Sequence, residues 1–298
     1  MNKQYHQVWE NFLEKNYFPT HVRNVVEIEF SDFTDMVWTN QTLSEKCILD
    51  FLAGDVFIIK NVLDYNISNK IKKDAYEYGK TIPEQYLQAN TTIPNFHHTS
   101  DYGVVGGYTE CAHSYIFWRW NPDNLDIFKS LNDFWDTIKI FNGLGQHGLK
   151  DNLPEDKIID RVQILHYPIN VGKITPHCDV ARWQKTNVAI SLTEKGTDYE
   201  DGGLYCINKD EQKVEIESRS KIGDAIVWLP SVFHGVDEPK GMKNDHQCDM
   251  EGRWQLLAQG IQSWCIKERV VSVSYDNFKE DPQKVLEAYI FNENGKVE

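Results

Sequence analysis

The sequence predicts a mainly β protein with flanking helices, built as an all-β barrel or jelly roll, and three observations carry that prediction. Short alternating or apolar runs recur between residues 158 and 266. Glycine and aspartate turns separate them at the spacing of consecutive strands. A His-x-Asp pair on one of these runs has a second histidine waiting on a later one, which a closed sheet would bring alongside.

The first run, Arg161-Val162-Gln163-Ile164-Leu165-His166-Tyr167, alternates until Pro168 and Gly172 break it. Pro176-His177-Cys178-Asp179 follows, and then the runs 187–193, 202–207, 223–230 and 252–257. Strand period fixes which side chains share a face. If Tyr167 points inward, so do Gln163 and Leu165. By the same parity Asn187, Ala189, Ser191 and Thr193 line a pocket, and Gln255 shares the face of Arg253.

His177 and Asp179 sit on the same side of an extended segment, because the residue between them points away. Joined by His234 from Phe233-His234-Gly235, they would offer a metal two imidazoles and one carboxylate on one face. Three octahedral positions stay open, the arrangement of a non-haem iron(II) oxygenase site.

Taken together, residues 161–265 resemble the Fe(II)/2-oxoglutarate-dependent oxygenases, closest to the prolyl-hydroxylase-like and phytanoyl-hydroxylase-like branches. The resemblance implies a double-stranded β-helix (jelly-roll, cupin-like) core, iron on His177, Asp179 and His234, and 2-oxoglutarate and dioxygen as co-substrates. It also implies that Arg253 grips the distal carboxylate of 2-oxoglutarate, a task that suits a guanidinium fork. Arg253 follows His234 by nineteen positions, about twice the family's usual gap. Residues 240–251 look like an inserted loop, in which Lys240 and Lys243 are rival anchors. Tyr167 matches a tyrosine that touches the co-substrate, with Asn187 and Ser191 as further contacts. An aspartate at 179, where halogenating relatives carry a small residue, favours hydroxylation, with desaturation or ring closure as other outcomes.

Outside this region, Tyr5, Val8, Trp9, Phe12 and Leu13 recur at helical spacing and predict a helix over 3–16. Residues 20–50 show no clean period. A strand is expected over 54–63 and a helix around Ile67, Ile71, Ala75 and Tyr78. Residues 91–120 mix glycines with aromatic and ionisable groups and read as a loop lying over a ligand. Within that loop Tyr108, His113 and Arg119 are candidates for substrate contact, with Gln163 from the barrel. Ile127, Phe128, Leu131, Phe134, Trp135 and Ile138 predict a helix capped by Asp123 or Asn124 and stopped at Gly143. Val270 to Val273 reads as a strand, and Asp281-Pro282 opens a last helix. The chain is expected to be one domain over 1–298. Within it, 1–150 forms a helical and substrate-lid region, 158–266 the barrel and 267–298 a C-terminal strand and helix.

With 31 basic and 45 acidic residues in 298, the net charge is −14, which disfavours nucleic acid and anionic membrane surfaces as partners. Six cysteines are scattered with no C-x-x-C pair and read as reduced thiols, so a cytoplasmic protein is expected. The expected substrate is a small molecule such as an amino acid or specialised metabolite. A prolyl-hydroxylase-like peptide enzyme and a non-catalytic cupin-like binding module are the alternatives.

Overall fold

The computed structural model describes residues 5–14, 18–105, 108–179, 184–241, 250–267, 269 and 272–280. Its N-terminal half carries α1 (His6–Leu13), β1 (Val25–Glu29), α2 (Phe30–Thr39), α3 (Gln41–Leu52), β2 (Val56–Lys60), α4 (Tyr65–Gly79), β3 (Phe96–Val105), β4 (Tyr108–Trp118) and α5 (Ile127–Phe141). The barrel strands follow as β5 (Ile158–Pro168), β6 (Lys173–Cys178), β7 (Asn187–Ser191), β8 (Asp201–Ile207), β9 (Lys213–Glu215), β10 (Ala225–Trp228), β11 (His234–Lys240) and β12 (Gly252–Gln262). Last come β13 (Val273–Ser274) and α6 (Tyr275–Glu280).

Strand order reveals the jelly roll. One run reads β10-β7-β12-β5 and the other β6-β11-β8-β9, with β4 pairing both β5 and β6 to join them. Successive barrel strands thus alternate between two runs except at the β8–β9 hairpin, which is the pattern of a double-stranded β-helix. The register of β12 on β5 holds from Gly252↔Pro168 to Gln262↔Ile158. Strands β7 and β10 are buried throughout, which explains their near-continuous apolar sequence in place of alternation. The N-terminal region extends the same sheet, β2 pairing with β10 and β1 with β2.

Helix α5 forms where its apolar stripe predicts. The Asp123 carboxylate accepts from the backbone N–H of Ile127 (2.8 Å) and Lys129 (2.9 Å), and Gly143 takes a left-handed φ of +70° after the last turn. The apolar face packs on α2 through Phe30–Phe134 and Phe33–Phe141. A buried polar clamp ties the helix to β5, since Lys139 Nζ (2.8 Å) and Trp135 Nε1 (2.9 Å) both donate to the Asp160 carboxylate.

Two stretches differ from expectation. Residues 91–120 are not a loop; most of them form the hairpin β3–β4, paired from Phe96↔Ile116 to Val105↔Tyr108 with a bulge between Asp101 and Gly103. Its even-numbered residues (Phe96, His98 and Ser100; Ser114, Ile116 and Trp118) share one face, a strand period that the ionisable residues conceal. Residues 20–50 hold β1, α2 and α3, with the Asn40 side chain accepting from Leu43 N–H at the start of α3. Gly106, Gly107, Lys243, most of the 240–251 insertion and the helix expected after Asp281 lie outside the described residues, and of the expected strand at 270–273 only Ser272 and Val273 lie within them, Val273 opening β13. No helix among the described residues is long and apolar enough to cross a membrane.

Candidate active site

His177 is the last residue but one of β6 and His234 opens β11, and these residues face each other in the ladder between the two strands. Asp179 leaves β6 two residues later. One ligand atom from each of the three lies within 4.8 Å of the other two. His177 Nε2 is 3.9 Å from one carboxylate oxygen of Asp179, and His234 Nε2 is 3.5 Å from the other.

The surroundings fix how each ligand points. His177 Nδ1 donates to the Thr175 carbonyl and His234 Nδ1 to the Val232 carbonyl, both at 2.9 Å. A ring whose Nδ1 carries the proton keeps its Nε2 lone pair for a metal. Asn187 Nδ2 donates to Asp179 at 2.8 Å, and the Ser272 hydroxyl donates to its other oxygen. Tyr108 stacks on the His177 ring (4.5 Å, 18°), and Trp228 meets His234 edge-on (4.9 Å). Burial, with His177 beside it, pushes the His234 imidazole down to about 4. Burial alone would raise the Asp179 carboxyl, but the two histidines, Ser272 and Asn187 hold it below the usual range. A neutral imidazole beside an ionised carboxylate is the donor set a divalent transition metal prefers.

No protein-family model matches the chain, and no curated protein sequence does. Solved structures do match. The chain is similar to a Pseudomonas putida prolyl-4-hydroxylase at 14% identity and a TM-score of 0.46, over 72% of this chain and 96% of that one. It is similar to a full-length Neurospora crassa protein, crystallised with alpha-KG and thymine, at 12% identity and a TM-score of 0.49, over 80% and 86% of the two chains. A Trichoplax adhaerens prolyl hydroxylase, in complex with a hypoxia inducible factor oxygen degradation domain peptide fragment, matches at 13% identity and a TM-score of 0.46, over 78% and 96%.

A cavity of about 520 Å³ opens beside the triad, lined by odd-numbered side chains of β5 (Arg161 to Tyr167) and β12 (Gln255 to Ile261, but not Arg253) and by even-numbered ones of β3 and β4. Gln163, Tyr167, Asn187 and Tyr108 all line it. His113 does not. As an odd residue on β4 it points to the other face, where its Nε2 meets His97 Nδ1 at 2.7 Å and its ring stacks on Tyr115. Arg119, just past β4, is also away from the cavity, bonded to Asn132 and laid over Phe128. Ser191 is turned to Ser220 (2.8 Å). Lys240 pairs with Glu238 at the surface.

Arg253 lies on the inward face of β12 beyond Gln255, only 1% exposed, with its guanidinium 5.5 Å from the Tyr167 ring. Its Nη2 donates to Glu217 at 2.8 Å, while Nε and Nη1 have no partner among the described residues. Glu217 also accepts from Tyr199 and from Leu204 N–H. Burial would raise its carboxyl, but Arg253 and these donors hold it low. The Gln255 Oε1 and Trp228 Nε1 atoms, both on cavity-lining residues, are likewise buried without partners. Such atoms are costly unless something bonds them; Arg253 itself, packed beside Tyr167 and paired with Glu217, is not among the residues that line the cavity.

Sequence reasoning missed Glu217 and Ser272. Glu217 had one signal, in Gly202-Gly203. A Cβ on Gly203 would come within 2.6 Å of the Glu217 side chain, so that glycine makes room for the buried carboxylate. Ser272 had none.

Proposed function

We propose that this chain is an iron(II)- and 2-oxoglutarate-dependent oxygenase acting on a small molecule. The observation that carries this reading is the convergence of two Nε2 lone pairs and one carboxylate, each held in place by a second bond from the protein, at the wall of an internal cavity. A cavity of about 520 Å³ falls in the range of small-molecule sites.

Iron(II) at the triad, with 2-oxoglutarate and dioxygen as co-substrates, would supply an oxidant able to break an unactivated C–H bond, with succinate and carbon dioxide as co-products. The protein's own contribution is orientation. Thr175 and Val232 fix both imidazole tautomers, Asn187 and Ser272 restrain the carboxylate, and Tyr108 and Trp228 shield the rings from water. Arg253, through Nε and Nη1, is the anchor we assign to the distal carboxylate. Glu217 already shares that cation, so the dicarboxylate binds with less net attraction than a lone guanidinium would give.

His177→Ala and Asp179→Ala are each expected to abolish stoichiometric Fe(II) binding, measured on the anaerobic protein, and to abolish succinate release from 2-oxoglutarate under oxygen. Full iron content with full turnover in either variant refutes the assignment.

A further inference from the structure

Across the cavity from the triad, three strands present polar groups at one level. Arg161 on β5 stands between Trp118 on β4 and Gln259 on β12 in the sheet register. Its guanidinium donates to Gln259 Oε1 from Nε (3.0 Å) and Nη2 (2.9 Å), and to Gln163 Oε1 from Nη2 (2.7 Å). Gln163 is itself held by Ser114. All these partners are neutral. They aim the cation without discharging it.

Arg269 shares this end of the cavity, lying over the Trp264 ring at 4.5 Å and donating to the Gln262 carbonyl. Neither guanidinium forms an ion pair among the described residues. The acidic groups whose fields reach Arg161 are engaged elsewhere, Glu110 with Ser100 and Asp179 with Asn187 and Ser272. Burial, reinforced by the like charge of Arg269, pushes Arg161 down to about 10. Nearby, the Trp118 Nε1 atom and both polar atoms of the Gln262 side chain are buried without partners among the described residues. Two like charges and three orphaned polar atoms on one wall are unfavourable by themselves, and a bound anion offsets both.

We infer that the substrate is a monocarboxylate with an apolar body, its carboxylate held by Arg161 and Arg269 and its chain running between Leu257, Ile261 and the aromatic wall toward the triad. This deepens the oxygenase reading and rests on it for the reaction, though not for the binding.

The test uses the full-length protein and three probes, indole-3-propionate, 4-phenylbutyrate and octanoate, each paired with its primary amide, by calorimetry and thermal shift. At least one acid is expected to bind roughly tenfold or more tighter than its amide, the effect of a charge-assisted hydrogen-bonded pair. Arg161→Gln should erase that preference, Arg161→Lys should keep part of it, and Arg269→Gln should weaken it. Equal binding of every acid and amide overturns the inference, as does a preference that survives Arg161→Gln in a protein of native circular dichroism. Succinate release by the wild type separates the two readings. Acid preference without turnover supports this inference and sinks the oxygenase; turnover without acid preference sinks this inference alone.

Discussion

At the scale of single residues, the buried guanidinium groups of Arg253 and Arg161 differ in how their charge is balanced. Arg253 is neutralised by Glu217, whereas Arg161 has only amides. Glu217→Gln keeps acceptor and shape but removes the competing charge, so it should lower the KM for 2-oxoglutarate by about tenfold, the size of one screened charge term inside a protein. Arg253→Ala should raise that KM by roughly 10- to 100-fold, the loss of a charge-assisted pair. Steady-state succinate assays check both, and an unchanged KM in both variants removes Arg253 from the co-substrate site. Of the candidate metal group, His177 and Asp179 were legible because strand parity and a His-x-Asp spacing are local, and His234 because the resemblance pointed to it. Ser272 and Glu217 were not, because they meet their partners across 93 and 36 residues with no pattern to announce it.

At the scale of elements, legibility followed periodicity. The amphipathic stripe of α5 and the alternation of β5 are strong signals. The β3–β4 hairpin has the same period two, but His98, Ser100, Glu110 and Ser114 stand on its cavity face and disguise it as a loop. Parity then decided the fate of individual candidates, since Tyr108 falls on the cavity side of β4 and His113 does not. The attachment of α5 to the barrel depends on a buried ion pair, Lys139 being 0% exposed and Asp160 likewise. Lys139→Met strands the carboxylate and should cost about 3–5 kcal/mol in urea unfolding, while Lys139→Met with Asp160→Asn should recover most of it.

At the scale of the whole molecule, stability should fall on mild acidification. Burial pushes His166 down to about 4, the Glu251 carbonyl opposing and Lys72 reinforcing, and burial with His97 does the same to His113. Both imidazoles are neutral in the fold, and the unfolded chain takes up protons first. Their stabilisation is therefore complete above about pH 6.5 and is lost as pH drops toward about 4, on the order of 3 kcal/mol for the fully buried His166. Urea midpoints between about pH 7.5 and about pH 5 should show this slope, and His166→Phe, which keeps the stack on Trp254, should flatten it.

One contact also bears on the order in which the protein can mature. Asp179 receives a hydrogen bond from Ser272, 93 residues further along the chain, and β13 pairs with β6 beside His177. On a ribosome, roughly 5–20 s of synthesis separate those two positions. The strands that carry His177, Asp179 and His234 therefore emerge before the residue that braces Asp179, and that carboxylate is expected to be held in position only once Ser272 has been made.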